Sequence, residues 1–76
     1  MNYKVVAERM YALKQEKKIT FLYLEKATGI RSDKIARILF GVRPPRLSEF
    51  ALLCFSLGTS ADELLRSDEK WEVIER

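Results

Sequence analysis

The stretch from Thr20 to Gly41 constrains the fold of this chain most, because it predicts two short helices joined by a tight turn. Gly29 lies between the two segments, and glycine adopts a left-handed backbone at no steric cost, so the first helix is expected to end there. Thr20 is expected to cap the first helix and Ser32 to be the N-cap of the second. The residues of this stretch that are predicted to face inward together are Leu24, Ala27, Thr28, Ile30, Ile35 and Ile38.

The outer face of the second helix is polar near its start. It carries Ser32, Asp33, Lys34 and Arg37. A helix with such a face, braced by a shorter helix before it, has the geometry of a helix that reads the major groove of DNA.

The rest of the chain is also predicted to be helical. Apolar residues recurring every three or four positions predict a helix over Asn2–Glu16. A fourth helix is expected to begin at Leu47 and end at Gly58, and a capping box of Ser60 and Glu63 precedes a short fifth helix. No strand pattern competes with these helices. The predicted class is therefore all-α with five helices.

The two halves of the chain differ in charge. Residues 1–46 contain eleven basic and four acidic residues, a net charge of +7, and they include the two-helix stretch. Residues 47–76 contain three basic and seven acidic residues, a net charge of −4. A basic half of this kind suits a polyanion such as nucleic acid. The alternative is a solvated face that has no partner.

Several classes of function are disfavoured by composition. The chain has no histidine and one cysteine, Cys54, so it lacks an ordinary metal-ligand cluster or a nucleophile–base pair. We expect Cys54 to be a buried structural thiol, and we expect no enzyme activity, cofactor or metal. The longest nearly apolar run, Phe50–Leu57, is too short to span a bilayer, and the N-terminus does not resemble a signal peptide. The expected location is cytoplasmic, without membrane association.

The extended pattern resembles the Cro/C1-type helix-turn-helix family of phage and bacterial repressors, also called XRE-like. The residues that carry the resemblance are Leu24, Gly29, Ile30, Ile35, Ile38, Gly41, Pro45, Leu57, Gly58, Asp62 and Leu64. The match runs from about Leu13 to Leu65. It implies a five-helix lambda-repressor-like domain that binds double-stranded DNA as a small transcriptional regulator, in keeping with one domain in 76 residues.

The resemblance also implies contact residues. The base-reading positions of the family fall on Ser32, Asp33 and Arg37, and Arg37 suits a bidentate contact with guanine. Asp33 either accepts from a cytosine amino group or only favours the helix start. The resemblance places the contacts to the DNA backbone at Lys14, Thr20, Lys34, Arg43 and Arg46. For any one of them the alternative is a solvated side chain.

The chain departs from the family pattern at several positions. Apolar residues stand where polar ones are usual, at Phe21, Leu22, Tyr23, Leu39, Phe40 and Val42, and Glu25 replaces a small residue. Either the apolar residues enlarge the core, or some of them form an exposed patch for a protein partner. The runner-up function is therefore a protein-interaction module on the same fold, such as an antirepressor, with weak or no DNA binding.

The predicted domain covers residues 1–66, and residues 67–76 form a short tail. The tail carries Trp71, Val73 and Ile74 beyond the part that the family pattern explains. Either it folds back on its own domain or it packs against a second copy. The expectation is a homodimer that uses the fifth helix and the tail.

Overall fold

The computed structural model describes residues 3–65, and it is all-α over this range. The helices are α1 (Tyr3–Glu16), α2 (Phe21–Thr28), α3 (Ser32–Leu39) and α4 (Leu47–Leu57). A fifth helical segment, α5, covers residues 61–65, and no strand occurs within residues 3–65. The predicted class and the five helices are confirmed for this part of the chain.

The ends of α2 are set by local chemistry that the sequence predicted. The Thr20 hydroxyl oxygen accepts a hydrogen bond of 3.0 Å from the backbone N–H of Tyr23, so Thr20 is the N-cap. Gly29 has φ 80° and its N–H donates to the Glu25 carbonyl at 2.8 Å. A residue with a Cβ is strained at this φ, which explains why α2 stops at a glycine.

α4 ends at Gly58 as predicted, and a contact that the sequence did not predict adds to this end. Gly58 has φ 72° and follows the last helical residue. The Lys17 ammonium donates to the carbonyl oxygens of Leu57 at 2.7 Å and of Gly58 at 3.4 Å. A Cβ on Gly58 would lie 2.8 Å from Lys17 Nζ. Lys17 therefore satisfies carbonyls that a helix end leaves unpaired, and its charge suits that end of the helix dipole.

The Ser60 half of the expected capping box is present at the start of α5. The backbone N–H of Glu63 donates to the Ser60 hydroxyl oxygen at 3.1 Å. The Glu63 carboxylate accepts from the Thr59 hydroxyl at 3.0 Å. Ser60 thus caps the helix as predicted, and the carboxylate also ties the preceding loop residue.

One apolar core joins all five helices. α1 packs on α3 and α4, and α2 packs on the same two helices. The buried cluster consists of Val6, Met10, Leu24, Ile30, Ile35, Ile38, Leu39, Leu53, Cys54, Leu57 and Leu64. Four of the predicted inward residues of the two-helix stretch are in this cluster: Leu24, Ile30, Ile35 and Ile38. The prediction is wrong for Ala27, which is exposed, and Thr28 is only half-buried. Burial also raises the pKa of the Cys54 thiol, so the expectation of a buried cysteine is confirmed.

Candidate nucleic-acid interface

The start of α3 is capped by a carboxylate from α2. The Glu25 carboxylate accepts a hydrogen bond of 3.0 Å from the Ser32 backbone N–H and a second, short one from the Ser32 hydroxyl. These two bonds lower the pKa of Glu25, and nearby Arg31 lowers it further. A charged acceptor makes stronger hydrogen bonds than a neutral hydroxyl, so Glu25 takes the capping role.

The prediction that Ser32 is the N-cap of this helix is therefore wrong. The N-cap residue is Arg31, and Ser32 is the first helical residue. Because the Ser32 hydroxyl is bonded to Glu25 and lies 3.4 Å from the Phe21 carbonyl oxygen, it is already engaged within the α2–α3 unit. The suggested role of Ser32 in reading bases stays a prediction.

Asp33 and Arg37 form the exposed face of α3. Both side chains are exposed, and their spacing of four residues puts them on the same side of the helix. Asp33 lies in the first turn, where a negative charge is favourable, and its carboxylate is 3.8 Å from the Arg31 guanidinium. The structure thus brings together one hydrogen-bond acceptor and one bidentate donor on a solvent-facing helix surface.

A buried carboxylate, Glu49, connects α3, the loop after it and α4. Its oxygens lie 3.0 Å from Lys34 Nζ and 3.5 Å from an Arg43 guanidinium nitrogen, and they accept 2.9 Å from the Arg46 backbone N–H. The hydrogen bond from the Arg46 N–H is the largest cause of a lowered pKa at Glu49. Lys34 and Arg43 lower this pKa further, to about 2. Sequence reasoning missed this residue. The available signal was an acidic side chain at the third position of a helix, where it reaches back to the N-cap.

The predicted backbone contacts differ in how much surface they offer. Lys34 and Arg43 remain 40% and 31% exposed although both pair with Glu49. The side chains of Thr20 and Arg46 are exposed. All four residues therefore have polar groups at the surface. Thr20 lies at the start of α2, and the other three lie in α3 or in the loop that follows it.

Lys14 is the exception among the predicted backbone contacts. Only 8% of it is exposed, and its ammonium lies 4.2 Å from the centre of the Phe21 ring and 5.8 Å from that of Tyr11. A cation is attracted to the face of an aromatic ring at such distances. The Lys14 ammonium therefore already contacts two aromatic rings, and little of its side chain remains for a phosphate.

The apolar departures divide between core and surface. Leu39 belongs to the core and Phe21 is half-buried against it. Tyr23 and Phe40 are 53% and 60% exposed. Phe40 also lies 5.5 Å from the Tyr11 ring and 6.1 Å from the Phe21 ring, centre to centre. Leu22 and Val42 are exposed as well. Leu39 and Phe21 therefore enlarge the core, whereas the other four side chains are exposed, and a protein partner for them stays a prediction.

Two substitutions separate the surface members of this set. Tyr23→Ser is expected to change the free energy of unfolding by less than about 0.5 kcal/mol, because its side chain is mostly solvated. Phe40→Ser is expected to cost about 1 kcal/mol, because it removes two aromatic contacts. Thermal unfolding of both variants beside the wild type measures the difference. A loss of more than about 2 kcal/mol at Tyr23 would contradict its assignment to the surface.

The predicted partner residues of the tail, Trp71, Val73 and Ile74, lie outside the described residues. In the part of the chain from 3 to 65, no helix has both the length and the apolar character needed to cross a bilayer. Over the same range no three acidic, histidine or cysteine residues are grouped so that they could hold a metal ion.

Known proteins provide no match. Neither a family model, nor a curated protein, nor a solved structure matches this chain. The function is therefore argued from the site itself.

Proposed function

We propose that this chain binds double-stranded DNA by inserting α3 into the major groove and acts as a small transcriptional regulator, a repressor of the Cro/C1 type. The proposal rests chiefly on one observation. Asp33 and Arg37 form an exposed polar face on a short helix, next to the partly exposed cations Lys34 and Arg43. The order of the helices is the one expected of a lambda-repressor-like domain, and that fold is part of the proposal.

In the proposed complex, anchoring and reading are separate tasks. Lys34, Arg43 and Arg46 contact phosphates, which sets the orientation of the domain without selecting sequence. Arg37 donates two hydrogen bonds to a guanine edge, and Asp33 accepts from a neighbouring cytosine amino group. Bound protein then blocks or recruits the polymerase. A cytoplasmic homodimer would place two such helices on half-sites about 34 Å apart.

The proposal is tested by separating these two tasks with substitutions. Arg37→Ala is expected to weaken binding to a selected duplex by about 1–3 kcal/mol and to relax preference at one base position. Arg46→Ala is expected to weaken binding to all duplexes alike. Selection of bound sequences from random duplexes, followed by titration, measures both effects.

Arg37→Lys is the matched control for the reader residue. It keeps the positive charge but loses the planar fork needed for a bidentate contact, so it should retain general affinity and lose preference. If the wild type binds no duplex even at low salt, the proposed function is wrong. If Arg37→Ala leaves affinity and preference unchanged, the assignment of the reader residue is wrong.

A second candidate function is supported by the exposed apolar side chains. Leu22, Tyr23, Phe40 and Val42 are each more than half exposed. Contiguous exposed apolar patches often mark a protein-interaction surface, and these four side chains are the candidates for one. A protein that fails to bind duplex DNA, but whose partner binding is lost in Tyr23→Ser and Phe40→Ser, would favour this second candidate.

A further inference from the structure

An apolar groove opens on the side of the domain formed by α1 and α4. It has a cavity volume of about 310 Å³ and is walled by Tyr3 and Val6 of α1, by Pro44 and Pro45 of the loop, and by Phe50 of α4. The Tyr3 hydroxyl donates to the Ile38 carbonyl, so the one polar group among these five side chains already has a partner. We call this cavity the α1–α4 groove.

Two further leucines complete the groove, and both border on its opening. Leu47 is 84% exposed and Leu65 is 39% exposed, although each lines the cavity. Leu65 is also the last residue that the structure describes. The neighbouring Leu64 carbonyl accepts a hydrogen bond from the Arg9 guanidinium, which holds this end of the chain against α1. The described part of the chain therefore ends at the wall of the groove.

The size of the groove indicates what kind of group fills it. A stable dimer buries about 1,200–2,000 Å² in an extended interface. The cavity of about 310 Å³ is at the low end of pockets that take small molecules, about 300–1,000 Å³. One large apolar side chain is enough to fill a cavity of this size, without the extended area that a dimer interface needs.

The chain itself supplies such a side chain. Residues 66–70 are all polar, whereas Trp71, Val73 and Ile74 follow close together. Trp71 lies six positions after Leu65, and a chain of that length can span up to about 20 Å. The reach is ample for a groove that has Leu65 as one wall. Tethering also gives the tail an effective concentration on the order of millimolar, which a free partner rarely matches.

Charge complementarity favours the same occupant. Glu72 directly follows Trp71, and Glu69 precedes it by two positions. Arg46 directly precedes the wall residue Leu47, and its side chain is exposed. An indole in the groove would bring a carboxylate of the tail toward a guanidinium at the opening.

We propose that the α1–α4 groove is the intramolecular docking site of the segment Trp71–Ile74, with the indole of Trp71 filling the cavity. This proposal does not depend on DNA binding. It takes the first of the two alternatives for the tail, folding back on its own domain, and it replaces the expected use of the tail in a homodimer.

The intrinsic fluorescence of the full chain tests the proposal directly, because Trp71 is its only tryptophan. We expect blue-shifted emission and a quenching constant for acrylamide several-fold lower than that of free tryptophan. Leu47→Glu puts a carboxylate at the opening of the groove and is expected to shift the emission to the red and restore quenching. Since Leu47 is exposed and begins a helix, where a negative charge is favourable, this variant should fold normally.

Phe55→Glu is the matched control. Phe55 lies on the same helix and is also 84% exposed, but it does not line the groove. Its substitution introduces the same charge and should leave the fluorescence of Trp71 unchanged. Circular dichroism of both variants verifies the fold.

Each other outcome overturns the proposal. Emission and quenching like those of free tryptophan in the wild type would mean that the tail does not dock. Protection that increases with protein concentration, together with a dimer in sedimentation, would mean that a second copy covers Trp71. Protection that resists Leu47→Glu, or that both variants abolish equally, would place the indole somewhere other than this groove.

Discussion

Raising the salt concentration from 50 to 200 mM is expected to weaken binding to duplex DNA by roughly 10²–10³-fold. The estimate assumes about four to six phosphates contacted per monomer, each of which releases counterions and contributes about −0.9 to the slope of log K against log salt. Lys34, Arg43 and Arg46 supply three of these contacts in the proposed complex. Fluorescence anisotropy with a labelled duplex at several salt concentrations gives the slope.

Arg46→Ala is the control for this titration. The loss of one phosphate contact should make the slope shallower by about one unit, whereas Arg37→Ala should alter the preference between sequences more than the slope. A slope near zero in the wild type would contradict binding through phosphates. It would favour the second candidate function, which uses the exposed apolar side chains.

Glu49 substitutions are expected to lower stability and tighten DNA binding at the same time. Glu49→Ala removes the acceptor of the Arg46 N–H and the counter-charge of Lys34 and Arg43, so it should cost about 1–3 kcal/mol in the free energy of unfolding. Glu49→Gln retains an oxygen for the Arg46 N–H and loses only the charge, so it should cost less. Chemical denaturation measures both losses.

Glu49→Gln should also strengthen binding to any duplex several-fold at low salt. In Glu49→Gln, the two cations no longer have a carboxylate beside them, and the interface gains one unit of positive charge. Weaker binding would contradict this prediction and would mean that Glu49 orients Lys34 and Arg43 for the phosphates. Glu63→Gln is the control for the change in overall charge, because it removes a carboxylate of α5 instead.

Acid unfolding provides a second measurement of the Glu49 contribution. Its folded pKa of about 2 lies below the ordinary value of 4.5, so the unfolded state takes up a proton first as the pH falls. The stability from this group is therefore fully present above about pH 4.5 and is lost as the pH falls toward about 2. Glu49→Gln should lack this component. Parallel curves for the two proteins between these pH values would contradict the lowered pKa.

The helices were predictable from sequence because their signals are local. Thr20 caps α2, and Gly29 and Gly58 end α2 and α4 in left-handed conformations, as expected. The inward face of α3 and the burial of Val6 and Met10 in α1 followed from apolar periodicity, which reports burial directly. Lys14, expected on the solvent side of α1, is buried instead. These features depend on neighbours within one turn of the same helix.

The contacts that shape the candidate interface were not predictable in the same way. Glu25 and Glu49 each contact a group on another element, and Lys17 does the same outside the interface. Glu25 bonds to a residue seven positions away, and Lys17 bonds to one 41 positions away. Long polar side chains can usually point to solvent instead, so their spacing in sequence does not identify a partner. Ser32 illustrates the consequence, because its own capping preference was clear and a carboxylate on a different helix replaced it.

The cap that Glu25 provides for α3 has a consequence for the variation that this domain can accept. Because Glu25 and Ser32 together hold the start of the helix, the outer positions Asp33 and Arg37 have few structural tasks. In a combinatorial library randomised at these two positions, most variants should therefore still fold. Including Ser32 in the randomisation should deplete the folded fraction sharply. New binding preferences would then be accessible by changing residues that the rest of the domain does not need.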